Sequence, residues 1–293
     1  MSKIIMLSGL PASGKSTRAR ELYKECGNAV IVSRDNLRDM LHGGATWSGV
    51  REKSTMHMQM SIVRAAMARG NVAIIDDTNM GEYHKDRWRG VANETNSEFE
   101  VVAMDTDIKT CLGRDIARGN KVGRHTILEM AMQYGLYLTE KSFVICDIDG
   151  TVANCEHRKH YLDNPVGDKK NWKGFFSEMD KDTPITDTID TVRGMHKLGH
   201  EIVFVSARPE DYRSVTEEWL KEHIDFPYTT LIMRHSGDSR QDAVVKQQIF
   251  DKYFKDKYQV DWVFDDRPSV IREVWVKSLG ADKVIDVGDG IEF

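Results

Sequence analysis

Two hydrophobic patterns alternate along this chain. Short apolar runs with almost no polar interruption mark strands buried on both faces. They fall at Lys3 to Ser8, Ala29 to Ser33, Val72 to Ile75, Glu98 to Met104, Phe143 to Cys146, Glu201 to Val205 and Trp262 to Phe264. Between them lie longer stretches in which apolar residues recur three and four apart. These predict helices over Lys15 to Glu25, Glu52 to Arg69, Tyr83 to Asn96 and Thr126 to Leu138. In the second helix Met56, Met60, Ile62, Val63 and Met67 read as core. Alternating strands and helices make a parallel α/β fold. At 293 residues the chain is long enough for two such domains, 1–141 and 142–293, divided just ahead of Phe143.

Composition narrows the class. With 40% hydrophobic and 30% charged residues the chain reads as soluble and globular, and no apolar run approaches the ~20 residues of a membrane helix. The opening Met-Ser-Lys-Ile-Ile-Met-Leu-Ser is too short for a signal peptide and reads as a first buried strand. Cys26, Cys111, Cys146 and Cys155 show neither CxxC pairing nor a zinc-type His spacing, which fits reduced thiols in the cytoplasm. The net charge of −5 divides unevenly: 20 Lys/Arg against 17 Asp/Glu in 1–141, and 21 against 29 in 142–293. Neither half carries the basic stripe of a protein that coats nucleic acid. A nucleic-acid substrate would be gripped at an end, through a few phosphates.

The first half places its chemistry at strand ends. Gly9-Leu-Pro-Ala-Ser13-Gly14-Lys15-Ser16 follows the first strand and opens the first helix, the context of a P-loop. Gly9, Ser13, Gly14, Lys15, Ser16 and Thr17 are the expected contacts to the ATP phosphates, with Ser16 on Mg²⁺. After the second strand comes Arg34-Asp35-Asn36-Leu37-Arg38. Asp35 can accept a proton from an attacking hydroxyl, or merely cap the next helix; Arg38, three residues on, suits a phosphate flanking that hydroxyl. The third strand delivers Asp76-Asp77-Thr78-Asn79, where one acid serves a metal or water, or orients the substrate. Arg114, Arg118, Lys121 and Arg124 follow the fourth strand, either as a solvated helix face or as a lid that brings an arginine, Arg118 foremost, onto the transferring phosphoryl group.

The second half begins with Asp147-Ile-Asp149-Gly150-Thr151 after an apolar strand, which is similar to the D-x-D-G-T signature of haloacid-dehalogenase-type phosphotransferases. Asp147 would attack phosphorus and Asp149 would act as acid and then base, splitting one hydrolysis into two easier steps. Further along stand Ser206-Ala-Arg208, with a hydroxyl and a guanidinium for the phosphate. Asp242 precedes Lys246 by one helical turn and would orient it. Asp265-Asp266 end another strand, acids that can complete a Mg²⁺ site with Asp147 and the backbone of Asp149, Asp266 foremost. Residues 152–200 read as a small cap, with Arg158 a substrate contact or an idle surface arginine.

Taken together, the P-loop, S-R-D-x-x-R, D-D-T-N and D-x-D-G-T resemble the phage polynucleotide kinase/3′-phosphatase family over essentially the whole chain. The resemblance implies a P-loop kinase domain followed by a Rossmann-like phosphatase domain. It implies phosphorylation of 5′-hydroxyl ends from ATP and removal of 3′-phosphates from DNA or RNA, in the cytoplasm of a host if the gene is a phage's. By motif, Lys15 and Ser16 take the P-loop roles, Asp35 is the general base and Arg38 binds the 3′-phosphate of the terminal nucleotide. Asp77 and Asn79 fall on family positions, with Asp76 replacing a neutral residue; Arg118 is the lid arginine and Arg114 a weaker match. Asp147, Asp149, Arg158, Ser206, Arg208, Asp242, Lys246 and Asp266 also fall on family positions. The stretch from Pro165 to Asp182 departs from the pattern, which leaves the phosphatase substrate open. The resemblance further implies a homotetramer. Two other readings are a small-metabolite kinase fused to a metabolite phosphatase, and a nucleotide-sensing module with decayed sites.

Overall fold

The apolar runs of the first half become β1 (Lys3–Ser8), β2 (Ala29–Val32), β3 (Val72–Ile75) and β4 (Glu98–Ala103), all parallel, in the order β2-β3-β1-β4. The computed structural model describes residues 2–43, 49–163 and 170–290. Alternate residues of β1 face two cores. Ile4 and Met6 pack with Val63, Met67 and Trp88, while Ile5 and Leu7 pack with Ala19, Leu22 and Ile74. Each of these buried aliphatic side chains contributes roughly 1.5–3 kcal/mol. The helices are α1 (Lys15–Cys26), α2 (Arg34–His42), α3 (Gly49–Ala68), α4 (Glu82–Glu94), α5 (Ile108–Ala117) and α6 (Arg124–Gln133). Of the α3 residues expected in the core, Val63 and Met67 are buried, and Met60 and Ile62 pack against the same cluster. The buried face of α3 also holds Thr55, bonded to the Arg51 carbonyl, and Gln59, which serves the site below. α6 stops before the expected Leu138, because Gly135 turns the chain in a left-handed conformation (φ 67°). Two compact units, Met1–Tyr134 and Gly135–Phe293, therefore divide seven residues ahead of the expected 141/142 boundary.

The second unit holds β5 (Phe143–Cys146), β6 (Ala153–Asn154), β7 (Thr183–Pro184), β8 (Glu201–Pro209), β9 (Thr230–Arg234), β10 (Val260–Asp265) and β11 (Val284–Asp286). Five of them form a parallel sheet ordered β11-β10-β5-β8-β9, and β6 and β7 pair antiparallel. β9 and β11 are additions to the strands read from sequence. Helices are α7 (Glu156–Asp163), α8 (Trp172–Phe176), α9 (Thr186–Lys197), α10 (Arg213–His223) and α11 (Asp242–Tyr253). The expected cap at 152–200 divides in two. α9 lays Ile189 and Val192 into the core of the main sheet, so the small insert ends at β7. The insert has its own minor core of Cys155, Leu162 and Phe175. Of the stretch from Pro165 to Asp182, residues 165–169 lie outside the described residues. No described helix is long and apolar enough to cross a membrane.

Two candidate phosphoryl-transfer sites

In the first unit, β1 and β3 both deliver chain to the carboxyl edge of the sheet, where ligands bind in open α/β folds. The loop from Gly9 is drawn tight. A Cβ at Gly9 would meet the Met104 Cβ at 2.9 Å, and Gly14 sits at φ 102°, so both positions require glycine. Ser13 is buried within the loop and Thr17 starts α1 with its N–H on the Gly14 carbonyl (3.1 Å). Lys15 is folded back: its Nζ donates to the carbonyls of Gly9 (2.9 Å) and Leu10 (2.7 Å), and burial lowers its pKa. Ser16 stands beside the Asp76 side chain, whose carboxyl pKa is raised by burial.

Asp76 and Asp77 point to different tasks, as successive strand residues do. Asp76 stands by Ser16 and Lys15, a hydroxyl–carboxylate pair whose oxygens suit a hard divalent cation. Buried Asp77 instead accepts from the Arg34 backbone N–H (2.8 Å), Arg34 Nε (3.1 Å) and Gln59 Nε2 (2.7 Å). Asn79, at φ 43°, braces β1 by donating to the Leu7 carbonyl (2.9 Å). Arg38 bonds Asp35 and donates through Nε to Glu52 (2.9 Å); Arg34 donates to the other Glu52 oxygen (2.9 Å). Burial disfavours the Glu52 carboxylate, but these guanidiniums outweigh it and lower its pKa. Asp35 is at the surface, with its side chain 85% exposed.

Among the basic residues after β4, the structure separates the two arginines. Arg118 donates twice to Asp115 (2.9 and 2.7 Å), and the same carboxylate accepts the Gly123 N–H (2.8 Å), which ties the segment shut. Arg114 donates to the Ser13 carbonyl (3.2 Å) and so reaches the P-loop itself. Arg124 opens α6.

In the second unit, Asp147 continues β5 and its N–H donates to the Phe264 carbonyl (3.0 Å). Gly150 is obligatory: at φ 75°, a Cβ there would fall 1.9 Å from an Asp266 oxygen. Lys246 Nζ stands 3.0 Å from Asp147 and 2.7 Å from Asp265. Asp265 is fixed in turn by Trp275 Nε1 (2.8 Å), presented by a π-helical turn at Ile271–Trp275. Asp265, read in the sequence only as one of two acids for a metal, thus also holds the lysine. Asp242 bonds Arg234 and Arg267 instead of Lys246, because β9 and the turn after β10 put two guanidiniums against the start of α11.

Buried oxygens of Asp147, Asp265 and Asp266 lie within 4.8 Å of one another. Burial holds Asp147 well above the usual carboxylate range, opposed by Lys246; burial and Asp265 push Asp266 up to about 7. Three crowded carboxylates with one ammonium fit a divalent cation held through oxygen. Nearby, the buried Thr151 Oγ1 has no hydrogen-bond partner among the described residues, a hydroxyl suited to a phosphate oxygen. Ser206, buried within β8 where its register with β9 breaks, accepts the Arg208 N–H (3.1 Å).

Asp149 is clamped. Arg208 donates through Nη2 (2.6 Å) and Nε (3.0 Å), and Arg158 bonds it as well. Burial works against the Asp149 carboxylate, yet Arg208 and Arg158 hold it below the usual range. Behind them Asp182 accepts 2.7 Å bonds from both arginines. Arg158 is fully buried, its guanidinium 4.1 Å from the centre of the Phe175 ring. It acts through Asp149 and does not line the cavity in front. Asp182 carries no sequence signal beyond being one acid among many in the insert.

The fold and geometry define a P-loop kinase-type unit followed by a phosphatase unit of haloacid-dehalogenase type. Residues 141–290 match the family described as the polynucleotide kinase PNKP phosphatase domain, and residues 4–136 match an AAA domain. The chain belongs to the former family. A relative in Autographa californica nuclear polyhedrosis virus, provisionally named bifunctional polynucleotide kinase/RNA ligase, is 29% identical over 92% of this chain and 40% of its own length. An L-seryl-tRNA(Sec) kinase of Methanococcus maripaludis is 23% identical over 50% of this chain and 57% of its own. The chain thus spans about half the length, or less, of these relatives. A chain in the solved Pnkp1/Rnl/Hen1 RNA repair complex is 26% identical, with 99% of this chain and 96% of that chain covered at a TM-score of 0.43.

Proposed function

We propose that this chain transfers the γ-phosphate of ATP to 5′-hydroxyl ends of nucleic acid and removes 3′-phosphates from such ends, acting in the cytoplasm. The observation that carries this reading is Asp147 against Lys246, with Asp265 and Asp266 crowded behind and Asp149 clamped in front, in a unit of the polynucleotide kinase phosphatase family. In the second unit an Asp147 oxygen attacks phosphorus and the bond to the 3′-oxygen breaks, leaving an aspartyl-phosphate. An entering phosphate competes with Asp149 for Arg208, which raises the Asp149 pKa and equips it to protonate the departing oxygen. Water then attacks phosphorus, its proton passes to Asp149, and Asp147 is released. Mg²⁺ held by Asp147, Asp265 and Asp266 would supply the charge that keeps all three ionised and offsets that of the phosphate.

In the first unit Lys15 exchanges the Gly9 and Leu10 carbonyls for phosphate oxygens. Asp35 accepts the proton of the 5′-hydroxyl while Arg38 pairs with the neighbouring phosphate, and Arg114 and Arg118 face the transferring group. Ser16 and Asp76 would hold the Mg²⁺ of ATP there. A second reading, a metabolite kinase fused to a metabolite phosphatase, has support from a Bacillus velezensis adenylyl-sulfate kinase that is 26% identical over 39% of this chain.

The test follows both ends of one oligonucleotide carrying a 5′-hydroxyl and a 3′-phosphate. Lys15→Ala should lose 5′ labelling from ATP by at least ~10³-fold and keep 3′ release; Asp147→Asn should do the reverse. Faster turnover of adenylyl sulfate, sugars or nucleosides than of oligonucleotide by the wild type would sink the proposal.

A further inference from the structure

The cavity in front of the second site has a chemistry that phosphoryl transfer leaves unused. It encloses about 970 Å³ and runs outward from Asp149 and Arg208. A phosphate and its sugar fill only part of that space, which is at the upper end for sites that enclose a whole organic ligand. One wall is aromatic. The i, i+4 spacing in α8 puts Trp172 and Phe176 side by side, their rings stacked at 5.8 Å and 22°, and Tyr212 continues the wall 5.2 Å from Phe176. All three line the cavity. Phe175, between them in sequence, borders the same cavity but is buried, with its ring against Arg158. The helix thus gives the cavity three aromatics, of which Phe175 also belongs to the core of the insert. Trp172 is left 41% exposed at the cavity wall, where the flexible Lys170 ammonium, 5.7 Å from the ring centre, stands over it. The remaining walls carry seven Lys/Arg against five Asp/Glu, among them the exposed Lys173 and Arg272, which suits a polyanion.

We propose that Trp172, backed by Phe176 and Tyr212, stacks on the base of the nucleotide that bears the 3′-phosphate, and that this platform selects a polynucleotide end over a sugar phosphate. Every base offers a π-face, so such a platform grips strand ends without reading sequence. The proposal rests on the 3′-phosphatase reading above. It makes Trp172 a specificity residue, remote from the Asp147–Lys246 chemistry.

A double-mutant cycle between the side chain and the base tests it. Phosphate release is measured from two oligonucleotides, one ending in a normal 3′-phosphorylated nucleotide and one ending in an abasic 3′-phosphate, with wild type, Trp172→Ala and Trp172→Phe. For the wild type, removing the base should cost about tenfold in kcat/KM, mostly through KM, the low end of what one base–aromatic stack supplies. Trp172→Ala should cost the same on the normal end and add less than twofold on the abasic end. Trp172→Phe should recover most of the loss. Equal wild-type rates on the two ends, or a Trp172→Ala loss as large on the abasic end as on the normal one, overturns the platform alone. No release from either oligonucleotide by the wild type overturns the 3′-phosphatase reading, and the platform with it.

Discussion

The two sites handle the same group with different materials. The first is built from backbone: a loop pulled tight by Gly9 and Gly14, a lysine resting on carbonyls, and charged partners such as Asp35 and Arg118 largely in solvent. The second is built from buried side-chain charge. Asp147, Asp182, Asp265 and Asp266 are buried, as are Arg158, Arg208 and Lys246, and Asp149 is half-buried beside them. A cradle of N–H groups is neutral and stands without its ligand. Buried ions are not so free, since each unpaired charge is costly to desolvate. Those eight residues hold five carboxylates and three cations, a deficit of two positive charges that one divalent cation closes. On the proposed reading the first site would wait for its nucleotide with its lysine parked, whereas the second would carry a cation requirement into the stability of its fold.

The largest expected break in this contrast comes from removing one arginine in each unit. Arg158→Ala strips a cation from both Asp149 and Asp182 in a fully buried network and should destabilise the second unit by about 3–5 kcal/mol. Arg38→Ala removes a partly exposed guanidinium from Asp35 and Glu52 and should cost no more than ~1 kcal/mol. Urea unfolding of the two variants measures both. Comparable losses would mean that burial does not separate the two sites.

A smaller effect divides the two neighbouring acids of the first site. Asp76→Ala should slow the kinase about 100-fold, equivalent to ~2.7 kcal/mol, while leaving or raising the melting temperature, since a buried carboxyl with a raised pKa is removed. Asp77→Ala should lower the melting temperature, because Arg34 and Gln59 lose their common acceptor. If both variants melt alike and lose kinase activity alike, the two acids do not have separate tasks.

How much of this was legible beforehand follows the same division. The P-loop and the D-x-D-G-T turn are local: the glycines, the lysine and the aspartates lie within a few residues of one another, and sequence spacing alone places them. The buried network is not local. Asp182 meets Arg158 and Arg208 across 24 and 26 positions of chain, and Asp265 meets Lys246 across 19. No period or motif links those pairs. Spacing misled once, where Asp242 and Lys246 share the register of one helical turn, yet Arg234 and Arg267 from other elements claim the acid. Asp76 was visible as an acid in place of a neutral family residue, but its task appeared only with Ser16 beside it. The strand starts were readable from apolar runs; the end of α6 and the division of the cap depended on Gly135 and on where Ile189 and Val192 found a core.

The smallest effect is the pH dependence of stability, and its sign differs between the units. In the first, buried His84 is lowered to about 4 by desolvation, with Arg34 and Arg87 adding to it. Its unfolded form takes up a proton below ~6.5 while the folded form does not, so His84 makes this unit gain stability as pH rises from about 4 to 6.5, offset in part by Asp76, whose raised pKa acts the other way. In the second unit Asp266 is raised to about 7, so the folded form keeps a proton that the unfolded chain releases above ~4. Asp147, raised for the same reason, acts in the same direction. Without a divalent cation this unit should therefore lose roughly 2–3 kcal/mol as pH rises from 4 to 7, at ~1.4 kcal/mol per unit and with allowance for screening. His235, lowered by burial, offsets a part of that loss, and Asp149 is ionised in both states over most of the window. Mg²⁺ binds the ionised carboxylates, so its stabilising effect should be larger at pH 8 than at pH 5.5, near 2.7 kcal/mol at a hundredfold excess over its dissociation constant. Thermal unfolding in chelator and in Mg²⁺ at the two pH values measures it, with Asp266→Asn as the variant that should flatten both trends. An equal Mg²⁺ effect at both pH values would show that the cluster is ionised without a metal, and the charge deficit assigned to the second site would have to be met by other groups.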